Sequence, residues 1–95
     1  MNGKNEVEYG DGFLKDLKRL PKEAVKKLGI LIEYLRDDAF DPRLHTKPLG
    51  PPLADKYSFR ITRDWRVGFM FTGQSRIKLL IADHRSKFYE RIKRL

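Results

Sequence analysis

The sequence contains no cysteine. That single absence removes disulfides, thiolate metal sites and cysteine nucleophiles, and it fits a reducing compartment. Its two histidines, His45 and His84, are too few for a zinc site without thiolates, and no cluster of carboxylates suggests magnesium or calcium, so neither a metal nor a cofactor is expected. No glycine-rich phosphate loop is present, and Ser58 and Ser75 have no histidine-acid pattern near them. No apolar run approaches the roughly 18 residues of a membrane span. The opening Met1-Asn2-Gly3-Lys4-Asn5 also lacks the hydrophobic segment of a signal peptide, so the expected location is the cytoplasm, with no membrane partner. There is no internal repeat and no low-complexity tract.

Acidic residues are scarce in one part of the chain only. Residues 1–42 hold 8 Lys+Arg against 9 Asp+Glu, whereas residues 43–95 hold 13 against 4, so the whole net charge of +8 comes from the second part. Such asymmetry is the footprint of a surface that meets polyanions, nucleic acid first and acidic protein segments second. Ninety-five residues at 40% hydrophobic content describe one domain, 1–95, with a single core.

Glu6-Val7-Glu8-Tyr9 alternates as a short strand, and Gly10-Asp11-Gly12 marks a turn into a helix. Phe13, Leu14, Leu17 and Leu20 form the apolar stripe of that helix, with Lys15, Asp16, Lys18 and Arg19 off it. Pro21 opens a second helix with Ala24, Val25, Leu28, Leu31, Ile32 and Leu35 on one face. From Asp37 to Lys56 the prolines Pro42, Pro48, Pro51 and Pro52 rule out a helix or a central strand, leaving a long loop. Tyr57, Phe59 and Ile61, then Trp65, Val67, Phe69 and Phe71, alternate with polar or small residues as two strands. Keeping their apolar sets on one face requires an even pairing sum, which favours the loop Thr62-Arg63-Asp64 and places Arg60 opposite Arg66. Ile77, Leu79 and Ile81 continue the apolar face on a third strand. If Phe71 pairs near Ile77, Leu80 lies opposite Gly68 and Ala82 opposite Arg66, and His84 shares the arginine face. A last helix, capped by Asp83 or Ser86, carries Phe88, Tyr89, Ile92 and Leu95. The expected fold class is α+β: a small antiparallel sheet, an N-terminal helical hairpin on one face, a short C-terminal helix, and one sheet face left open and basic.

Like charges directly opposite on a sheet are destabilising. Two arginines in that position suggest a face built for an anion; a solvated sheet face with diverging arginines is the plain alternative. A metal-free set of arginines beside one or two proton carriers suits RNA cleavage, in which the substrate's own 2′-hydroxyl attacks the neighbouring phosphate. Arg60 and Arg66 would hold the phosphate, since a guanidinium stays charged and binds two oxygens. His84 is the preferred proton carrier, because an imidazole titrates near pH 6.5 in water. Tyr89 and Lys47 are the second candidates. Each has a structural alternative: His84 at a strand-helix junction, Tyr89 in the core, Asp64 serving the turn and Trp65 capping the hairpin.

The order and spacing of these segments resemble the RelE/ParE superfamily of type II toxin-antitoxin toxins, over nearly the full length. The segments are Phe13-Leu14-Lys15-Asp16-Leu17, Leu49-Gly50-Pro51, Tyr57-Ser58-Phe59-Arg60-Ile61, Asp64-Trp65-Arg66-Val67 and His84-Arg85-Ser86-Lys87-Phe88-Tyr89. The resemblance implies a toxin neutralised by a cognate antitoxin, reaching DNA only through that antitoxin. RelE-like members cut mRNA in the ribosomal A site, and ParE-like members poison DNA gyrase. By this likeness Arg60, Arg66, His84, Tyr89 and Lys47 are the catalytic set, and Arg85, Lys87, Arg63, Asp64 and Trp65 contact substrate. Asp64-Trp65 and His84 match the YafQ-like branch, with Lys47 where that branch places a second histidine. Tyr89 resembles the C-terminal tyrosine of the RelE branch at a shorter spacing, and Ser58 stands where RelE carries a lysine. The expected activity is therefore an mRNA endoribonuclease that inhibits translation. The alternative is a gyrase poison, or an inactive toxin fold acting as co-repressor.

Overall fold

A computed structural model describes residues 4–95. The chain runs β1 (Glu6–Tyr9), α1 (Asp11–Leu17), α2 (Lys22–Asp37), a 3-10 turn (Pro42–Leu44), β2 (Lys47–Pro48), β3 (Lys56–Arg60), β4 (Trp65–Gly73), β5 (Arg76–His84) and α3 (Arg85–Lys93). The five strands form one sheet in the order β1-β5-β4-β3-β2.

The β3–β4 hairpin has the register that the alternation requires. Tyr57 pairs with Phe69, Phe59 with Val67 and Arg60 with Arg66. The Ile61 N–H donates to the Trp65 carbonyl at 2.8 Å, which closes the Thr62-Arg63-Asp64 loop. The sheet is mixed rather than wholly antiparallel, because β1 runs parallel to β5, with Val7 beside Ile77. A strand whose chain departs through helices and returns from the far edge can pair in this sense. The long loop contains the 3-10 turn and the edge strand β2, where Lys47 pairs with Ser58 and Pro48 with Tyr57. Proline is tolerated there because an edge strand has one side without ladder bonds.

The α1–α2 hairpin packs on one face of the sheet. Phe13, Leu20, Ala24, Leu28, Leu31, Ile32 and Leu35 meet Phe59, Val67, Phe69, Ile77 and Leu79 in the main core. Two expected stripe residues, Leu14 and Val25, are exposed instead, and Asp16 is buried. The periodic set in α1 is 13, 16, 17 and 20, so position 14 turns away from the sheet.

The other face is open only in part, at the edge that carries Lys47, Arg60 and Arg66. Phe88 and Ile92 of α3 pack on Ile81 and Leu53 as a second, smaller core. Gly68 admits this helix: a Cβ there would lie 2.5 Å from Ile92 Cδ1 and 3.1 Å from Phe88 Cζ.

A β-bulge in β5 decides which side chains share that face. Phe69 pairs with Leu79 but Gly68 pairs with Ile81, so Leu80 has no partner and every later residue is displaced by one. Leu80 is therefore not opposite Gly68, and Ala82 lies opposite Val67 rather than Arg66. Asp83 takes the position opposite Arg66, and His84 pairs with Trp65. Ala82 joins the main core and Ile81 turns to α3.

Candidate nucleic-acid interface

Directly opposed residues of antiparallel strands point to the same face. Lys47, Ser58, Gly68 and Ile81 thus form one row on the α3 side of the sheet, and Arg60, Arg66 and Asp83 form the next. The rows are roughly 7 Å apart, two residues along a strand. Among the described residues, none of Lys47, Arg60, Arg63 and Arg66 has a carboxylate within ion-pair distance. The acidic groups nearby are engaged elsewhere: Asp83 with Arg91 at 3.0 Å and Asp64 with Arg85 at 3.5 Å. Arg60 is exposed and Arg66 half-buried, so the pair is accessible, and it makes no ion pair among the described residues although Asp83 is the cross-strand neighbour of Arg66.

His84 does not rise from the arginine face. The bulge places it in the row of Trp65, the two rings meeting edge to face with centroids 5.3 Å apart. It is also the N-cap of α3, in place of the expected Asp83 or Ser86: its Nδ1 accepts the Ser86 N–H at 3.1 Å and lies 3.0 Å from Ser86 Oγ. Asp83 instead accepts the His84 N–H at 2.7 Å through Oδ1. In the tautomer that caps the helix, Nε2 bears the proton. A protonated ring would donate its Nδ1–H to Ser86 Oγ and keep Nε2–H for another acceptor.

The remaining expected residues surround this end of the sheet. The Arg85 N–H donates to the Asp64 carbonyl at 2.7 Å, joining the start of α3 to the hairpin turn. Lys87 and Tyr89 are exposed on α3, the tyrosine ring lying edge to face with Phe88 at 5.6 Å. The structure thus brings Arg60, Arg66 and Lys47 onto one face, and Asp64, Trp65, His84 and Arg85 together at its end. Among the described residues no hydrogen bond draws Tyr89 into either group.

The support for this end of the sheet comes from residues that the apolar pattern passed over. Asp16, 1% exposed, accepts the Ala82 N–H at 2.9 Å and two bonds from Arg91 Nη1, at 2.9 and 3.0 Å, and pairs with Arg19. Arg91 also binds Asp83 Oδ2 at 3.0 Å. Burial opposes the Arg91 charge, but its bonds to Asp16 and Asp83 outweigh that and raise its pKa. One guanidinium therefore links α1, β5 and α3 beside the catalytic candidates. The signal for it was the position of Asp16, three after Phe13 and four before Leu20.

The arrangement is a helix-covered mixed α+β sheet with a basic edge and a histidine-capped terminal helix. No family model matches the sequence, and no curated protein sequence matches it. Solved structures do. YafQ from E. coli strain BL21(DE3) superposes with a TM-score of 0.74 at 18% identity, covering 90% of this chain and 98% of its own. The RelB-RelE antitoxin-toxin complex from Methanococcus jannaschii gives 0.74 at 23% identity, again over 90% and 98%. A YoeB/ParE toxin from Agrobacterium tumefaciens gives 0.73 at 20% identity, over 84% and 98%. The chain has the fold of RelE/ParE toxins.

Proposed function

We propose that this protein is the toxin of a type II toxin-antitoxin pair and that it cleaves mRNA in the ribosomal A site. The observation that carries the reading is the Arg60–Arg66 pair, two directly opposed guanidiniums that make no ion pair among the described residues, at the end of the sheet where an imidazole stands one row on, beside Trp65. In the reaction the RNA 2′-hydroxyl loses its proton and attacks the adjacent phosphorus. The bond to the 5′-oxygen breaks, and that oxygen takes up a proton. Arg60, Arg66 and Arg85 stabilise the charge on the equatorial oxygens. His84, protonated at Nδ1 and so exchanging the Ser86 N–H it caps for Ser86 Oγ as acceptor, protonates the departing oxygen through Nε2, and Lys47 or Tyr89 is the second proton carrier. Arg63, Asp64, Trp65 and Lys87 contact the flanking RNA. This step uses no metal and no cofactor. The partner in the uninhibited cell is an antitoxin, as RelB is for the RelE of the superposed complex.

A second reading has its own observation. The bulge separates His84 from the arginine face, and a non-hydrolytic toxin, a gyrase poison or a co-repressor, would need only the arginines to grip acidic side chains. Induced expression followed by primer extension on cellular mRNA, run beside a gyrase supercoiling assay, separates them. Codon-phased cuts with normal supercoiling support the nuclease. Lost supercoiling with intact mRNA supports the second reading.

A further inference from the structure

Beside the hairpin turn lies a hollow of about 340 Å³, lined by Lys27, Arg43, His45, Arg60, Thr62 and Arg63. We infer that it is a second phosphate site, which seats a backbone phosphate of single-stranded RNA next to the bond being cut; the inference rests on the nuclease reading.

Several elements converge here: α2 through Lys27, the 3-10 turn and its C-cap through Arg43 and His45, the end of β3 through Arg60, and the β3–β4 turn through Thr62 and Arg63. This differs from the solvated face of one helix or strand. Arg43 is already fixed: Nη2 and Nε bind the Asp41 carboxylate at 2.8 and 3.0 Å, and the guanidinium lies 3.6 Å from the centre of the Tyr34 ring. Asp41 neutralises Arg43 alone, which leaves Lys27, Arg60 and Arg63 facing the same space with no carboxylate among the lining residues. Gathering such charges is unfavourable until an anion enters.

The lining selects among anions. Its one apolar member, Ile61, is only 1% exposed, so a docked acidic helix would find no apolar surface for its own core-facing side chains. Guanidinium forks and the Thr62 hydroxyl suit phosphate oxygens. The volume is at the low end of small-ligand sites, about 300–1,000 Å³, which admits a nucleotide-sized group and no duplex. Arg60 belongs to both sites, opposite Arg66 on the sheet and in the wall of the hollow. A strand therefore passes from Arg66 over Arg60 toward Lys27.

The test is the affinity of the full chain for a labelled 2′-O-methyl oligonucleotide, which cannot be cut, by fluorescence anisotropy across salt concentrations. Lys27→Glu and Arg63→Glu, both at exposed positions, are each expected to weaken binding about tenfold near 0.1 M salt and to make the salt slope shallower by about 0.7 for each phosphate no longer neutralised. Unchanged affinity and slope in both variants, with Arg66→Ala still weakening binding, would overturn the hollow and leave the nuclease reading intact. Loss of polyglutamate binding without loss of oligonucleotide binding would overturn it in favour of an acidic protein segment. Oligonucleotide binding that depends on Lys27 and Arg63, in a protein that cuts no ribosome-bound mRNA, would support the hollow and remove the nuclease.

Discussion

Asp16 joins α1 to β5 and α3 through matched bonds, because a buried carboxylate is tolerated only when its oxygens are satisfied in place. Asp16→Ala leaves the Ala82 N–H unpaired and Arg91 with Asp83 alone. Arg91 keeps that partner and is about one-third exposed, so the expected cost is below that of a fully buried pair, about 2–3 kcal/mol. Thermal denaturation should show Tm falling by about 10–20 °C, and a shift under a few degrees would mean that the network is dispensable. His84 has two roles that one substitution separates. Asparagine also caps helices, so His84→Asn should hold Tm within a few degrees while mRNA cleavage is lost. Cleavage that survives in a folded His84→Asn variant would reduce the residue to a cap. At Gly68 the difficulty is space: Gly68→Ala drives a methyl into Ile92 and Phe88. That overpacking should cost about 1–3 kcal/mol, read as a lower denaturation midpoint with an unchanged slope.

At the scale of elements, the 3-10 turn shows how a short segment sets up the basic hollow. The Asp41 carboxylate accepts the Arg43 side-chain and backbone N–H groups, which hold its pKa at about 2 against an ordinary 3.8. The pairing in turn raises the Arg43 pKa. A depressed folded pKa means that the turn gains stability above pH 3.8 and loses it as pH falls through about 2. An NMR titration of the Asp41 carboxyl carbon should have its midpoint near 2, and a midpoint near 3.8 would show the turn to be open. The elements themselves were legible wherever periodicity was strong: α2 apart from the exposed Val25, the β3–β4 register with its loop, and the last helix, of whose expected stripe Phe88 and Ile92 are buried while Tyr89 and Leu95 are exposed. The β5 bulge was not, because Ile77, Leu79, Leu80, Ile81 and Ala82 are all apolar and one inserted residue leaves no mark in such a run. In α1 the apolar identity of Leu14 masked the true stripe, which includes a carboxylate.

Across the whole molecule, the charge division of the sequence becomes a spatial one. The near-neutral first part supplies the helical hairpin over the main core, and the basic second part supplies the sheet edge, the turn and α3. The charge division was therefore legible before the fold, since net charge survives any error of register. The position of the imidazole was not, because it depends on a single bulge at Leu80, four residues before it in an unbroken apolar run. For the molecule to work as proposed, the opposed arginines must act on the scissile phosphate. Single-turnover cleavage of A-site mRNA on programmed ribosomes tests this most directly, comparing the native chain with Arg66→Ala. Removing one charged donor to the transition state is expected to slow cleavage about 10²–10³-fold with Tm nearly unchanged. A folded Arg66→Ala protein that cuts at the native rate would contradict that role.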